Sequence, residues 1–277
     1  MKAMKGIVIF AFLAVSMIGR VRAQTDVKEQ IKEQIVVPLS EPGKPFKVIS
    51  HVLHGALKVV GYEGKDVVIT VTGQTRQKRE STNGGGMTRI GGNAGGDLTA
   101  EENHNTVNIS SGLSHFALIE IKVPQTGVTL DVGTVNEGNI EIENVTGQLE
   151  VSNVNGSISL ANVGGSVVAN TVNGNVIVTF KSVDPQAPMA FTTLNGRIDV
   201  TFPPTLKANL KLKSEKGDIF SDFDIDVTKQ QPAVTKTNED HTYKINFDEW
   251  VYGKISGGGP EMMMKTTFGT IFIRKAK

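Results

Sequence analysis

The feature that most constrains the fold is a glycine repeat in the middle of the chain. Five glycines, from Gly138 to Gly174, follow one another at an unvarying spacing of nine residues. The units aligned on them read GNIEIENVT, GQLEVSNVN, GSISLANVG, GSVVANTVN and GNVIVTF. The second and fourth residues after each glycine are apolar and the residues between them are mostly polar. This period of two predicts short strands with one buried face.

The residue after each mid-unit asparagine distinguishes two architectures. Three asparagines are each followed directly by a valine: Asn144–Val145, Asn153–Val154 and Asn162–Val163. A straight strand in an antiparallel meander would leave that valine in solvent, which forfeits about 1.5 kcal/mol of burial. A corner at the asparagine, which tolerates left-handed backbone, returns the valine to the interior. We therefore predict that all three valines are buried in an all-β, single-stranded β-helix-like solenoid, with an antiparallel meander or sandwich as the alternative.

One nine-residue unit is too short to enclose a core, so the repeat predicts two units, about eighteen residues, per coil. The later glycines Gly196 and Gly217 lie 22 and 21 residues further on, as expected for a coil with a small insertion at a corner. Asparagines at equivalent corners are expected to hydrogen-bond along the stack.

The first 23 residues have the pattern of a secretory signal. Lys2 and Lys5 precede an apolar core from Ile7 to Ile18, and Val21–Ala23 forms a small-residue cleavage site before Gln24. The apolar core is shorter than the roughly 20 residues that a membrane span needs, and no later segment approaches that length. We predict export to the periplasm, the cell surface or the medium, with no transmembrane segment left after cleavage.

Charge and cysteine content narrow the function classes. Removing the four basic residues of the signal leaves 25 basic against 28 acidic residues, a net charge near −3. Nucleic-acid binding, which calls for a concentrated basic patch, is not indicated. The chain has no cysteine, so disulfides and a lipoprotein attachment site are both absent.

Glycine-punctuated short strands begin well before the regular repeat and continue after it. Residues 24–45 are predicted to be a lead-in with a first strand, and 46–277 one β-solenoid domain. The insertion 74–105, rich in glycine and charge, lacks the apolar residues to offset its ordering entropy and is expected to be flexible. Residues 222–240 read as a second irregular excursion, and 243–277 as three strands around Gly253, Gly257–Gly259 and Gly269.

The strand IEIKVP, the repeated valine-asparagine-glycine units and the tail SGGGPEMMMKTTFGTIFIRK resemble the bacterial "putative adhesin" family of β-strand-repeat domains. The similarity runs from Phe46 to the C-terminus apart from the glycine-rich insertion. It implies an exported protein with a β-helix-like fold, and it supplies no catalytic residues to carry over. The chain departs from the usual pattern at Phe268-Gly269, where asparagine-glycine is common. We expect that corner to be packed by the aromatic ring.

The residue types that could catalyse a reaction or bind a metal do not form a recognisable site pattern. His51 and His54 are three apart, a spacing that places them on opposite sides of a strand. Met262–Met264 fits core packing better than copper binding, and Gly257–Gly259 lacks the lysine, serine and helix of a phosphate loop. Aspartate is missing two residues after each repeat glycine, which excludes a calcium β-roll for these units. We predict no catalytic, cofactor-binding or metal site.

One aromatic cluster stands out: Trp250 with Tyr243, Phe247 and Tyr252. It is expected to pack the end of the stack, with a sugar-stacking patch as the alternative.

Three functions remain open. The first is a non-enzymatic, adhesin-like binding or scaffold module for an unknown protein or glycan. The second is a polysaccharide-active β-helix enzyme, for which Asp184, Arg197 and Asp199 are the nearest acids and bases. The third is a self-associating envelope protein that pairs through the strand edges of its end coils.

Overall fold

The computed structural model describes residues 30–74, 98–111, 116–136, 138–228, 233–239, 242–248 and 250–277. The predicted signal and most of the glycine-rich insertion lie outside these ranges. Within them the chain forms strands and no helix. No described helix could therefore span a membrane.

The first eleven strands reach the end of the regular repeat: β1 (Gln30–Val37), β2 (Phe46–His54), β3 (Ala56–Tyr62), β4 (Val67–Gln74), β5 (Leu98–Asn103), β6 (Thr106–Ser111), β7 (Phe116–Pro124), β8 (Thr126–Asn136), β9 (Ile140–Glu143), β10 (Thr146–Asn155) and β11 (Ile158–Asn173). The others are β12 (Val176–Val183), β13 (Met189–Asn195), β14 (Ile198–Phe202), β15 (Ala208–Ser214), β16 (Ile219–Ser221), β17 (Asp226–Thr228), β18 (Ala233–Glu239), β19 (Thr242–Asp248), β20 (Val251–Ile255), β21 (Glu261–Phe268) and β22 (Ile271–Lys275).

The strands wind into a parallel β-solenoid with two faces. We call the front face the stack β5, β6, β2, β8, β10, the second half of β11, β13, β21, β15, β20 and β17. The back face is the stack β1, β4, β7, β3, β9, the first half of β11, β12, β14, β22 and β16. Each coil contributes one parallel strand to each face, as predicted, and the antiparallel meander is excluded.

The coils do not stack in chain order at the two ends. The coil β2–β3 lies between β6–β7 and β8–β9, and the C-terminal coil β21–β22 lies between β13–β14 and β15–β16. Antiparallel strands then cover the stack. At one end these are β5 on the front and β4 with β1 on the back, and at the other end β20 with β17 on the front.

The interior between the two faces is aliphatic. The inward residues of the regular repeat, including Ile140, Ile142, Val151, Ile158 and Val176, are fully buried. Further along, Phe180, Phe191 and Phe202 form a stacked and edge-on aromatic trio inside the coils.

The valine prediction is right at two positions and wrong at the third. Val145 and Val163 are fully buried, and the asparagines before them, Asn144 and Asn162, have positive φ angles of 60° and 54°. Val154 is 37% exposed because β10 continues straight through Asn153, which is buried instead. Units that look equivalent in the nine-residue alignment therefore turn at two different corners, which alternate along an eighteen-residue coil.

Several irregular regions of the sequence contain strands. Residues 98–103, which we assigned to the flexible insertion, form β5, whose Leu98 and Ala100 pack on the core. The predicted excursion 222–240 includes β17 and β18, and the tail adds four strands rather than three. Gly253 lies inside β20, where the absence of a Cβ makes room for the Ile225 side chain.

Candidate binding face

The front strands of the central coils end in a common four-residue corner. An inward polar residue is followed by an outward aliphatic one, then asparagine and glycine. The corner occurs as Asn153-Val154-Asn155-Gly156, Thr171-Val172-Asn173-Gly174 and Thr193-Leu194-Asn195-Gly196. Each of the four positions has a separate physical role.

The inward polar residues bind the backbone of the neighbouring coil. Thr171 Oγ1 donates to the carbonyl of Gly156 at 2.9 Å, and Thr193 Oγ1 donates to the carbonyl of Gly174 at 2.9 Å. The same contact is made by Thr134, Asn153, Thr266 and Ser214, to Gly55, Gly138, Gly196 and Gly269 respectively. These side chains, all buried except the half-buried Ser214, give the corner carbonyls a hydrogen-bond donor.

The asparagines form a ladder along the outside of the corner. Asn155 Nδ2 donates to Asn136 Oδ1 at 3.3 Å, Asn173 to Asn155 at 2.9 Å and Asn195 to Asn173 at 2.7 Å. The opposite corner has one such rung, from Asn162 to Asn144 at 2.6 Å. The predicted hydrogen bonds along the stack are confirmed.

The glycines allow adjacent corners to approach within backbone contact. A Cβ added to Gly174 would lie 2.2 Å from the Gly156 carbonyl oxygen, and one added to Gly156 would lie 2.1 Å from that of Gly138. No side chain fits at that separation. The unvarying glycine period is thus set by coil-to-coil packing.

The outward aliphatic residues line up as an exposed row, which we call the aliphatic stripe. It consists of Leu53, Val135, Val154, Val172 and Leu194, one from each of five successive front strands. Each is 37–44% exposed. At a strand spacing of about 4.8 Å the stripe is roughly 19 Å long. Parallel in-register stacking therefore converts a scattered sequence feature into one continuous apolar edge.

The stripe borders a centre without charge. Beside Val172 and Leu194, the outward residues of β11 and β13 are Val168, Asn170, Ala190 and Thr192, with Ser166 nearer the start of β11. Val168 is exposed. This part of the front face combines small polar and aliphatic side chains on a regular sheet.

Charged residues lie on either side of the uncharged centre. Asp131 and Glu150 occupy one row on β8 and β10, and Lys211 lies in the same row on β15. Lys213 and Lys265 stand in the adjacent row. Within these two rows the acids lie toward one end of the stack and the lysines toward the other.

The back face carries mutually compensating charges instead. Lys58 Nζ lies 3.0 Å from Glu143 Oε1 and 3.8 Å from Glu141 Oε2 on the next coil. The hydrogen bond to Glu143 raises the pKa of Lys58, and the nearby Glu141 and Glu120 charges add to the effect. Arg274 binds both carboxylate oxygens of Asp199, at 2.6 and 3.1 Å, which raises the pKa of Arg274.

The histidine pair does not gather ligands. His51 points outward, and its Nε2 lies 2.9 Å from Asp131 Oδ1 across Gly133, where a side chain would collide with the imidazole. Lys47 Nζ is 3.5 Å from the same carboxylate. Among the described residues no three His, Cys, Asp or Glu side chains converge as a metal site would require.

The residues considered for polysaccharide cleavage are separated. Asp199 is engaged by Arg274, whereas Arg197 lies at the Asn195-Gly196 corner, where its backbone N–H donates to Asn175 Oδ1. Asp184 follows β12 at the other corner, where its N–H donates to the Gly165 carbonyl. Asp199 pairs in register with Ile177, seven residues before Asp184. Asp184 lies beyond the corner that β12 turns beside Val163, so the two carboxylates lie on different sides of that corner.

A cavity of about 350 Å³ lies near the other corner of the early coils, between the loop 39–46 and residues 62–65 and 124–126. Glu63 is the one acidic residue of its lining. This cavity offers no pair of carboxylates for acid–base chemistry.

The remaining sequence candidates take structural positions. Met262 and Met264 are buried in the core, and Gly257–Gly259 form the turn between β20 and β21. The Trp250 ring lies beneath two ammonium groups, 4.8 Å from Lys211 Nζ and 5.7 Å from Lys213 Nζ. The side chains of Tyr243 and Phe247 lie outside the described part of the chain.

The expectation for Phe268 is wrong. Its ring is 55% exposed, in register with Asn195 at the end of the asparagine ladder. The coil it belongs to is also not the last one, because β15–β16 stacks beyond it.

The aliphatic stripe is the feature that sequence reasoning missed. When all units are aligned at a period of nine residues, Val154 occupies the same position as Val145, and both are therefore predicted to be buried. Comparison at eighteen residues pairs Asn153 with Thr171, and threonine does not favour the left-handed backbone that Asn144 and Asn162 adopt. That substitution was the available sign that Asn153 is no corner and that Val154 faces outward.

The chain is similar to two solved structures and to one protein family. None of the curated proteins matches the chain. A solved structure of a "putative cell adhesion protein" from Clostridium sporogenes is similar, with 12% identity, a TM-score of 0.45, and coverage of 90% of this chain and 100% of that one. A "putative adhesin" from Bacteroides fragilis has 11% identity, a TM-score of 0.29, and coverage of 90% and 98%. The sequence model of the Toastrack DUF4097 family matches residues 13–249, and the chain belongs to that family.

Proposed function

We propose that this protein is an exported, non-enzymatic binding module of the adhesin-like type, which presents the front face of a rigid solenoid to another macromolecule. The observation that carries the proposal is the aliphatic stripe beside an uncharged centre. Exposed apolar surface arranged in a continuous patch is typical of interaction sites. Scattered apolar residues would not support the same inference.

Rigidity supports this role. The stripe lies on strands paired on both sides, and each neighbouring corner is fixed by an inward hydrogen bond and an asparagine rung. A surface that is ordered before binding loses little conformational entropy when its partner docks. A flat parallel sheet suits a large, flat partner such as a protein or a glycan chain.

Export is supported by the secretory-signal pattern of the first 23 residues. Expression with the natural N-terminus should yield a protein that begins at Gln24, outside the cytoplasm. Mass spectrometry of the periplasmic and culture fractions tests this. Full-length protein retained in the cytoplasm would contradict it.

A catalytic role has less support, because Asp184 and Asp199 lie on different sides of a corner and Arg274 already occupies the Asp199 carboxylate. Self-association through the end coils also has less support, because antiparallel strands cover the front edge at both ends of the stack.

The binding role is tested with the purified protein on beads, offered to arrays of glycans and of extracellular matrix and envelope proteins, and to beads carrying the same protein. The double variant Val154→Lys and Val172→Lys should lose binding. A matched control, Ser159→Lys and Ile177→Lys, places lysines on two adjacent coils of the back face. Retained binding by the front variant, or no binding to any surface, would overturn the proposal.

A further inference from the structure

The distribution of charge on the front face specifies its partner. We propose that the front face pairs with the front face of a second copy of this chain, around a two-fold axis that runs along the strands between β11 and β13. This inference rests on the proposed function, because it names the macromolecule that the front face binds. A two-fold interface uses the same patch on both copies, so the patch must be complementary to itself.

The first row of outward residues is self-complementary when the stack is turned end for end. Along successive strands this row reads Asp131, Glu150, Val168, Ala190, Met263 and Lys211. Reversal about its midpoint places Asp131 opposite Lys211 of the second copy and Val168 opposite Ala190. Glu150 then faces Met263, a residue flanked by Lys211 and Lys265.

The adjacent rows follow the same symmetry. The second row reads Gly133, Ser152, Asn170, Thr192, Lys265 and Lys213. Reversal places Asn170 opposite Thr192 and both lysines toward the acidic end of the second copy. In the third row Val172 of the aliphatic stripe faces Leu194, Val154 faces Thr267, and Val135 faces Glu215, which lies 3.8 Å from Lys213 of its own chain. Small and apolar residues meet at the axis in all three rows, and in the first row Asp131 meets Lys211 at the periphery.

Formation of the dimer would change the surroundings of Glu150 more than those of the other carboxylate in the first row. Asp131 already contacts Lys47 and His51 within its own chain. Glu150 is exposed, and its row leads directly to the uncharged centre. The reversed stack brings it between the two lysines of the second copy.

The strands that the axis exchanges offer close to the area of a specific dimer. From β8 to β15 the front face spans five strand intervals, about 24 Å, and strands of seven residues are about 23 Å long. The product is roughly 550 Å² of flat surface per copy before side-chain relief is counted. Small specific interfaces bury about 600 Å² per partner and standard ones about 800 Å².

Sedimentation velocity over a wide concentration range should show a monomer–dimer equilibrium of the purified protein. The double variant Val172→Lys and Leu194→Lys should raise the dimer dissociation constant by about a hundredfold or more. The double control Ile177→Lys and Thr201→Lys on the back face should leave it unchanged. Circular dichroism verifies that all variants remain folded.

Charge exchange tests the orientation. Glu150→Lys alone and Lys265→Glu alone should each weaken the dimer about tenfold, because like charges would then meet at the periphery. The combined variant should recover affinity to within about threefold of the original. Failure to recover would contradict the end-for-end arrangement.

Cysteine pairing tests the axis directly, because the chain has no cysteine of its own. Mixing Val172→Cys protein with Leu194→Cys protein under mild oxidation should give a cross-linked dimer of the two different variants. Mixing Ser159→Cys with Ile177→Cys, on the back face, should not. Absence of the first cross-link would overturn the proposed axis.

The two proposals can fail separately. A strict monomer that still binds a glycan or another protein through the aliphatic stripe would overturn self-pairing and leave the binding role in place. A strict monomer that binds nothing would overturn both.

Discussion

The two faces of the solenoid are built from the same nine-residue units but differ inside and outside. Outside, the front has an aliphatic stripe and an uncharged centre, whereas the ion pairs of Lys58 and Arg274 join adjacent coils on the back. Asp131 at one end of the front pairs with Lys47 and His51 in the same way. Inside, the front corners are lined by buried threonines and an asparagine, whereas the back strands of the repeat bury aliphatic side chains. The difference arises because the chain turns at the seventh residue of one nine-residue unit and at the ninth residue of the following unit, both counted from the repeat glycine.

This asymmetry separates stability from recognition. The outward charges of the back face form ion pairs within the chain, so these charges need no partner from another molecule. The front face is stabilised from the inside, through backbone carbonyls, and its aliphatic stripe and uncharged centre face solvent. A repeat protein can thus vary one surface for binding while the opposite surface and the corners preserve the coil.

The largest expected effect is at the core shared by both faces. Ile158 is fully buried, so Ile158→Asp would place a charge there without a partner and should reduce the free energy of unfolding by roughly 4 kcal/mol or more. Denaturant unfolding followed by circular dichroism measures this. Glu150→Lys, outward on the front face, should change it by less than about 0.5 kcal/mol in dilute protein. The reverse outcome would mean that the assignment of inner and outer residues is wrong.

The next effect is at the corner that joins the faces. Gly174→Ala would place a Cβ on the Gly156 carbonyl and should destabilise the protein by about 2–3 kcal/mol. Ser159→Ala, in an exposed position of the back face, is the matched control and should be neutral. Equal stability of the two variants in thermal unfolding would disprove the close approach of the corners.

A smaller effect tests the buried polar residues of the front. Thr171→Val keeps the side-chain shape but leaves the Gly156 carbonyl without its donor, and should reduce the free energy of unfolding by about 1–2 kcal/mol. Thr179→Val, outward on the back face, should have no such effect. A neutral Thr171→Val would indicate that these hydrogen bonds add nothing beyond packing.

Charge on the back face is expected to matter less. Lys58→Glu would create a row of acids with Glu120 and Glu141, and should destabilise by up to about 1 kcal/mol at low ionic strength. Asn170→Glu, in the uncharged centre of the front face, should be neutral in dilute protein. The difference between the two variants should shrink as salt is added; a salt-independent difference would contradict an electrostatic origin.

The smallest expected effect is a pH dependence at one end of the front stack. Glu102 accepts hydrogen bonds from the Ser40 hydroxyl, the Ser40 N–H and the Asn105 N–H, which lower the pKa of Glu102. A lowered folded-state pKa means that the stabilisation is present above the ordinary glutamate value of about 4.3 and is lost as the pH falls below it. Glu102→Gln should therefore be less stable than the natural protein at pH 6, and the gap should narrow toward pH 3. A constant gap, in unfolding experiments across this range, would contradict the linkage.

The alternation of apolar and polar residues determined the strands and the buried face, because period two is a local property of an extended chain. The glycine spacing determined the coil length, because only residues without a Cβ allow two corners to touch. Sequence reasoning also anticipated the asparagine ladder, since identical side chains at one corner of stacked coils must meet.

The tertiary structure alone decided which asparagines turn the chain. Asn144 and Asn153 occupy equivalent places in adjacent units, and the second stays in a straight strand because its amide binds the Gly138 carbonyl one coil away. That partner lies outside the nine-residue unit, so no pattern within one unit reveals it, and only comparison across the eighteen-residue coil gives a sign of it. The aliphatic stripe and the order of the end coils have the same origin: both are set by contacts between strands from different parts of the chain.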